Sequence, residues 1–276
     1  MTVTNDKSAR IDLRSLIREP EDVYHAKRSH YLTSHKLAEF RRCPLLYRRR
    51  DVGLIPDIDT AAYLQGRAAH ALILEEREQY KQRYAIGGPI NPKTGNPYGE
   101  KTKKFQEWAA SQDKAVLSDT QAATVEQMAA AVKDHAVAGA LLSDGVAEGV
   151  ARADYLGHKC QIRIDWLNPD EGIVDLKTSR DLDAFEAQIR EYEYVHQLAF
   201  YHAVLSAFLI RDKPIPVYIV AVEKSEPFRC GIWHIQPWVL AQAQQQNERA
   251  MRELLTCNRE GDWFTRYEEL RQVDQL

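Results

Sequence analysis

Two apolar segments joined by a short polar turn place the strongest constraint on how this sequence folds. The first, KCQIRIDWL at 159–167, and the second, GIVDLKTS at 172–179, are each long enough for one strand of a sheet. The residues that join them, NPDEG, are typical of a tight turn. The sequence therefore predicts an antiparallel hairpin, in which Asp175 and Lys177 interrupt an otherwise apolar strand.

The charged residues of this hairpin are predicted to share one face. Side chains alternate across a strand, so Asp175 and Lys177 point the same way. A turn centred on Asp170 puts Asp165 opposite Asp175, and it likewise puts Arg163 opposite Lys177. The core is then expected to be packed by the opposite face, which consists of Ile162, Ile164, Trp166, Val174 and Leu176.

The two facing carboxylates, Asp165 and Asp175, predict a divalent-cation site. Adjacent carboxylates resist joint ionisation, and Mg²⁺ or Mn²⁺ removes that conflict by taking oxygen ligands. Lys177 is then placed to act on a water or a phosphate, which is the chemistry of phosphodiester hydrolysis. The alternative is an exposed sheet face on which the four charges form two ordinary salt bridges, and the hairpin alone leaves both interpretations open.

The segments around the hairpin predict helices packed against a mixed sheet. A strand at 145–156 precedes the hairpin, and a helix at about 184–211 leads to a further strand at 215–223, an order that favours a helical crossover. The expected fold class is therefore α/β. The other predicted elements are a helix at 33–50 interrupted by Pro44, helices at 60–76, 100–111 and 115–138, a loop at 87–99, a strand at 228–235 and a helical tail from 237.

Length and composition set the domain organisation. The chain has 276 residues, of which 44% are hydrophobic, and this suffices for one large domain or two small ones with a real core. The weakly patterned residues 1–30 are expected to form a flexible arm. Residues 31–276 are expected to form a single domain, with its core at about 60–235 and C-terminal helices at 237–272.

Charge, cysteine spacing and hydropathy exclude several kinds of protein. The net charge of −3 excludes a generally basic coat for nucleic acid, so a polyanion has to be met by local patches. The four cysteines are too far apart for a zinc knuckle or a redox pair, and they are expected to be reduced thiols. The N-terminal segment lacks the apolar stretch of a signal peptide, and the longest apolar run, residues 198–210, is too short to cross a bilayer. The expected location is the cytoplasm.

The hairpin resembles the signature of a known enzyme superfamily. RIDWLNPDEGIVDLKTS is similar to the signature of the PD-(D/E)XK nucleases, in which an Asp, a short hairpin and then Asp-x-Lys follow one another. In this chain the three signature residues are Asp165, Asp175 and Lys177. The resemblance implies the restriction-endonuclease-like αβββαβ core of that superfamily, a mixed central sheet flanked by helices.

Two predicted helices extend the resemblance. LQGRAAHALILE resembles the Gly-x-x-x-His helix of the RecB-like and RecE-like branches, with Gly66 and His70 on one helical face. YEYVHQLAFYHAVL resembles their Gln-x-x-x-Tyr helix, with Gln197 and Tyr201 again on one face. SHKLAEFRRCPLLY resembles their opening segment. Over residues 31–205 this order is most similar to the RecE-type, exonuclease VIII-like phage recombination nucleases.

This resemblance implies a metal-dependent exonuclease acting on double-stranded DNA ends. Such an enzyme digests one strand from its 5′ end, leaves a 3′ overhang, works as a homo-oligomeric ring and passes the single strand to a RecT-like annealing protein. The cysteine cluster of the iron–sulfur members is absent. Two alternatives stay open: a metal-dependent endonuclease on the same core, and a non-catalytic DNA-binding protein on a decayed nuclease fold.

The resemblance also implies roles for individual residues. It assigns one or two Mg²⁺ or Mn²⁺ ions to His70, Asp165 and Asp175, with the backbone carbonyl of Leu176 as a further ligand. Lys177 would assist the attacking water. A histidine on an apolar helix is otherwise most simply a core residue, and it is the resemblance that favours the ligand.

Four more residues are candidates for the site. Glu148 matches a recurrent acid of the RecE-like pattern, either as a ligand, as a support for the ligands or as the partner of a neighbouring base. Arg163 would need an anion such as a DNA phosphate beside it. With Tyr194, Gln197 and Tyr201 form a polar-aromatic stripe that can hold phosphate or stack on a splayed base, although they could be ordinary helix residues.

Two basic runs are candidates for contact with DNA. Lysines and arginines interleaved with aromatic residues favour binding to a nucleic-acid backbone, although solvated faces are the alternative. The candidates are Arg48, Arg49, Arg50, Lys101, Lys103 and Lys104, beside Phe40, Tyr47, Phe105 and Trp108.

Overall fold

The centre of the protein is a five-stranded mixed sheet. The computed structural model describes residues 10–56, 62–75, 77–210 and 213–272. The strands are β1 Tyr84–Ile86, β2 Ala115–Leu117, β3 Val146–Tyr155, β4 His158–Asn168, β5 Gly172–Ser179, β6 Val217–Glu223 and β7 Cys230–His234. Strands β3 to β7 lie side by side in chain order, antiparallel throughout except for the parallel pair β5 and β6. β1 and β2 form a separate parallel pair.

Helices cover both faces of this sheet. They are α1 Glu21–Ala26, α2 Ser34–Arg42, α3 Pro44–Asp51, α4 Ala62–Leu74, α5 Arg77–Arg83, α6 Lys103–Ala110, α7 Asp119–Asp134, α8 Ala136–Leu141, α9 Phe185–Glu191, α10 Tyr194–Leu209 and α11 Pro237–Glu260. The crossover from β5 to β6 runs through α9 and α10, as parallel neighbours require. The predicted α/β class and the αβββαβ order are confirmed. Among the described residues, no helix has the length and hydropathy needed to span a bilayer.

Local capping sets where several helices begin. Cys43 caps α3 by accepting a hydrogen bond from the Leu46 N–H, and Pro44 occupies the first turn, where no N–H is needed. Ser118 and Gln121 form a reciprocal capping box that starts α7 at Asp119. The helix predicted at 115–138 is therefore wrong at its start, because residues 115–117 pair with β1 instead.

The expectation of a flexible arm is wrong for residues 10–30. Ile11, Leu16 and Tyr24 are buried, and Ile17 makes a bridge to Val150 of β3. These apolar side chains are too widely spaced to show a helical or strand period, so the sequence hides their packing onto the sheet. Residues 1–9 of the predicted arm lie outside the described residues.

The C-terminal helix is shorter than the predicted 237–272. It ends at Glu260, since Gly261 takes the left-handed conformation (φ 75°) that commonly closes a helix. Beyond it, the Leu45 N–H donates to the Phe264 carbonyl at 2.9 Å, and Trp263 stacks on Tyr47 with 6.2 Å between ring centroids. Packing against α3 thus replaces helical structure in this segment.

The two faces of the sheet have separate cores. The larger one is built around α10 and α11 and includes Ile162, Ile164 and Ile173. The other is built around α4 and α7 and includes Val174 and Leu176. The sequence prediction that placed Ile162 and Ile164 on one face with Val174 and Leu176 is therefore wrong, for a reason that lies in the backbone beside Glu148.

Candidate active site

Strands β4 and β5 separate at their acidic residues. They pair beside the turn with Trp166 opposite Val174, which is the predicted register, but the ladder ends at that pair. One residue further on, the Asp165 carboxylate accepts a hydrogen bond from the Leu176 N–H at 2.9 Å. A side chain thus takes the place of a backbone acceptor, and the sheet opens between Asp165 and Asp175.

A second irregularity lies between β3 and β4. Glu148 has a φ of 54°, which is rare for a residue with a Cβ. It is not paired with Asp165 in the β3–β4 ladder, although the residues directly before and after Glu148 are each paired with a residue of β4. The alternation of side chains between the two faces of β4 shifts by one residue there. Ile164 and Leu167, which are three residues apart, therefore contribute to the same core. The four charges consequently do not share one flat face; they meet in the opening of the sheet.

Three potential ligands converge at this opening. The ring of His70, on α4, reaches toward Glu148 and Asp165, and one ligand atom from each of the three lies within 4.8 Å of the others. The His70 Nδ1 is 3.6 Å from Asp165 Oδ2. Glu148, which the sequence left between three roles, is therefore a member of the cluster.

The donor set fits a small divalent cation. Burial lowers the pKa of His70, which favours the neutral imidazole that binds metals. Burial and the negative charge of Asp165 raise the pKa of Glu148 to about 8, against the opposing effect of Arg163. One imidazole nitrogen with two carboxylates suits Mn²⁺ and Mg²⁺, and a cation there would relieve the repulsion that raises the pKa of Glu148.

Asp175 and Lys177 form a buried ion pair beside this cluster. Lys177 Nζ is 2.7 Å from Asp175 Oδ2, and Asp175 is 1% exposed. Burial raises the pKa of Asp175 to about 6. Burial alone would lower the pKa of Lys177, but the charges of Asp175 and Asp165 more than offset it, so its pKa is raised and the ammonium stays protonated. Asp175 is not one of the three clustered ligands, and its predicted role as a ligand stays a prediction.

Helix α10 closes the other side of the site. Lys177 Nζ lies 3.5 Å from Gln197 Oε1, and Gln197 Nε2 donates to the Tyr201 hydroxyl at 3.1 Å. The ammonium also lies 4.7 Å from the centroid of the Tyr194 ring. The structure therefore places the predicted stripe of Tyr194, Gln197 and Tyr201 directly around Lys177.

Arg163 has a partner that the sequence did not predict. Its Nε is 2.9 Å from Glu148 Oε2, and its Nη1 is 3.8 Å from Glu21 Oε1. It does not lie opposite Lys177, because β4 and β5 no longer pair at that point. Glu21 belongs to the segment expected to be a flexible arm, and nothing in its sequence context linked it to the hairpin.

The cavity over these residues has a volume of about 920 Å³, within the usual range of about 300–1,000 Å³ for a ligand site. Of the residues predicted to contact DNA, Arg163 lines this cavity, whereas none of the six in the two basic runs is among the described residues that do. Arg48 lies over the Trp263 ring at 5.3 Å, and Arg50 forms an ion pair with Glu39. Lys103 lies 3.6 Å from Glu107, Lys104 lies over Tyr98, and Arg49 and Lys101 are exposed.

The mixed sheet, the helical crossover and a His, Glu, Asp and Lys site at the opening of the sheet define a PD-(D/E)XK-like nuclease fold. Residues 34–275 match the model of a PDDEXK-like domain of unknown function, DUF3799, and the chain belongs to that family. No curated protein matches the sequence. A crystal structure of a protein from Eubacterium rectale, named a "putative exonuclease", shares the fold: the TM-score is 0.62 at 16% identity, over 94% of this chain and 97% of that one.

Glu148 is expected to link cation binding to pH. Its pKa of about 8 in the fold, against a reference value of 4.5, means that its contribution to stability is full below pH 4.5 and is lost as the pH rises to 8. A cation has to displace that proton, so the rise in Tm caused by Mn²⁺ should grow from pH 6 to pH 8. Thermal unfolding of Glu148→Gln should lack this growth; the same pH dependence in both proteins would contradict the assignment.

Proposed function

We propose that the protein is a divalent-cation-dependent exodeoxyribonuclease that degrades one strand of duplex DNA from an end, in the 5′ to 3′ direction. The observation that carries the proposal is the cluster of His70, Glu148 and Asp165 beside the charged Lys177, at the opening of a PDDEXK-type sheet. The fold supports a nuclease. The Eubacterium rectale protein, similar over nearly its whole length, supports the choice of an exonuclease.

His70, Glu148 and Asp165 would hold the cation, with Asp175 and the Leu176 carbonyl as further candidate ligands. Bound Mg²⁺ or Mn²⁺ would lower the pKa of the attacking water and offset charge on the phosphate. The hydrogen bond from the Leu176 N–H fixes the orientation of the Asp165 carboxylate. Arg163 holds Glu148 in place, since its Nε lies 2.9 Å from Glu148 Oε2.

Lys177 would act on the reacting phosphate or on the water. Its ammonium is held by Asp175, Gln197 and the face of Tyr194, so its position is fixed before substrate arrives. A protonated amine in a partly enclosed site stabilises charge that develops on a phosphate oxygen. The hydrogen bond between Gln197 and Tyr201 in turn limits the rotamers of Gln197.

Contacts with the duplex outside the cavity are assigned to the two basic runs. Arg48 to Arg50 lie on α3, and Lys101, Lys103 and Lys104 lie on or just before α6. A homo-oligomeric ring and a RecT-like partner belong to the same proposal, through the family resemblance. Light scattering of the purified protein tests the ring directly, since a ring has a mass that is a whole multiple of 31.7 kDa above the dimer.

The choice of substrate end is tested with blocked duplexes. Linear DNA is protected at both 5′ ends, at both 3′ ends or not at all, and a covalently closed circle is included. With Mg²⁺ present, we expect the circle and the 5′-protected duplex to survive while the 3′-protected duplex is degraded. Lys177→Ala, purified in the same way, controls for contaminating nucleases. Cleavage of the circle would establish an endonuclease instead, and survival of every substrate would contradict the proposed activity.

A further inference from the structure

Two cations that form no ion pair with any of the described residues line the same cavity, next to the proposed catalytic residues. Arg180 directly follows β5 and Lys224 directly follows β6. The strands pair in parallel with Ser179 opposite Glu223, and the Lys224 N–H donates to the Ser179 carbonyl at 3.0 Å. The two basic residues are therefore neighbours at one end of the sheet, and neither forms an ion pair with any described residue.

Acidic residues are present at this end of the sheet, but a third base holds them. Arg229 contacts Glu223 at 2.7 Å, Asp183 at 3.0 Å and Asp181 at 3.3 Å. The carboxylates nearest in sequence to Arg180 and Lys224 thus have Arg229 as their ion-pair partner. Two adjacent positive charges are unfavourable unless an anion lies between them. Burial lowers the pKa of Lys224, so burial also disfavours the charged form of this amine.

An exposed aromatic ring completes this part of the cavity wall. Tyr192 is 56% exposed and lines the cavity at the end of α9. Gln188 ties it to the strand end, because the Tyr192 N–H donates to the Gln188 carbonyl at 2.9 Å and the Ser179 hydroxyl donates to Gln188 Oε1 at 3.1 Å. The Tyr192 and Tyr194 ring centroids are 5.7 Å apart, so aromatic surface continues from Lys177 outward.

The position of Tyr192 depends on a break in the predicted helix 184–211. Glu193 has a φ of 55°, which ends α9 and turns the chain before α10. Arg41 fixes this turn: its Nη2 lies 2.6 Å from Glu193 Oε2, while its Nη1 donates to the buried Asn247. The left-handed region is energetically costly for a non-glycine residue, and such a conformation persists only where the surrounding structure fixes it. Here the largely buried Arg41 fixes it.

We propose that Arg180, Lys224 and Tyr192, together called the outer rim, bind one unpaired nucleotide of a single DNA strand, with a phosphodiester between the two cations and the base against the tyrosine ring. The inference rests on the proposed nuclease function and specifies its substrate: the strand enters the cavity with its bases unpaired. Stacking on an aromatic ring tolerates any base, so the rim selects single-stranded form and not sequence.

Binding without cleavage tests the outer rim. Fluorescence anisotropy of a labelled single-stranded oligonucleotide is measured in EDTA over a series of salt concentrations, and a blunt duplex of the same length serves as the comparison. Tyr192→Ala should weaken single-strand binding about fivefold or more, whereas Tyr192→Phe, which keeps the ring, should bind as the wild type does. The double variant Arg180→Ala, Lys224→Ala should flatten the log–log salt slope by about 0.7 units, which corresponds to the loss of one single-strand phosphate contact.

Arg249→Ala is the matched control, since Arg249 is exposed on α11 and does not line the cavity. An unchanged slope in the double variant, or an equal loss of duplex and single-strand affinity in Tyr192→Ala, would overturn the outer rim. If inorganic phosphate alone competes as effectively as the oligonucleotide, the outer rim is a simple anion site. That result would also overturn the proposed contact between the base and Tyr192. Because EDTA removes the cation, these results are independent of whether the protein hydrolyses DNA.

Discussion

Lys177→Met is expected to lower the single-turnover rate of DNA cleavage about 100-fold or more while the protein still binds Mn²⁺. The side chain is held against Asp175, Gln197 and Tyr194, and methionine keeps its apolar stem but removes the charge. A loss of about 3 kcal/mol of transition-state stabilisation gives a decrease of this size. Rapid-quench measurement at saturating protein reports the cleavage step itself.

Two further variants separate a chemical role for Lys177 from a structural one. Lys159→Met, at an exposed position of β4, should cleave as the wild type does. Lys177→Arg keeps the charge but not the compact ammonium, and we expect it not to restore the rate. Near wild-type cleavage by Lys177→Arg would show that positive charge alone suffices, and it would remove the case for a positioned amine.

Asp165→Asn is expected to lower cleavage by about 10³-fold, even when Mn²⁺ is raised to compensate, because a lost ligand forfeits several kcal/mol of charge stabilisation. Asparagine can still accept the hydrogen bond from the Leu176 N–H, so the opening of the sheet should persist. The far-ultraviolet circular dichroism and Tm should therefore remain close to those of the wild type.

The control for this variant is Asp154→Asn, an exposed carboxylate on β3 away from the cavity. It carries the same chemical change without touching a proposed ligand. Cleavage by Asp165→Asn at the rate of Asp154→Asn would mean that the carboxylate of Asp165 does not take part in catalysis.

Short-range patterns predicted most of the fold. The turn residues of NPDEG gave the register of the β4–β5 hairpin, and strand and helix periods gave the mixed sheet with its crossover. Long-range packing could not be predicted in the same way. Residues 10–30 are held by three separated apolar side chains and by a bridge to Val150, none of which forms a local period.

The candidate site was predicted in its residue types better than in its geometry. His70, Asp165, Lys177, Gln197 and Tyr201 meet as the motifs implied. Pairing of Arg163 with Glu148 depends on a positive φ at Glu148 and on the early end of the β4–β5 ladder. Neither leaves a mark in the sequence, since glutamate is an unusual choice for that conformation.

The same limit applies to the cavity wall. A continuous helix was expected at about 184–211, a segment that contains no glycine or proline. The left-handed Glu193 breaks it, and the contact that fixes the break comes from Arg41, about 150 residues earlier in the chain. Position along the chain therefore gave no indication that Tyr192 stands at the mouth of the cavity.

Calorimetric titration with Mn²⁺ tests most directly the claim that His70, Glu148 and Asp165 form the cation site. The wild type should bind the ion, and His70→Ala, Glu148→Gln and Asp165→Asn should each weaken binding about 100-fold or more, as expected for the loss of a direct ligand. Asp154→Asn should titrate like the wild type. Wild-type affinity in a protein carrying all three substitutions would contradict the account, because the cation would then bind elsewhere.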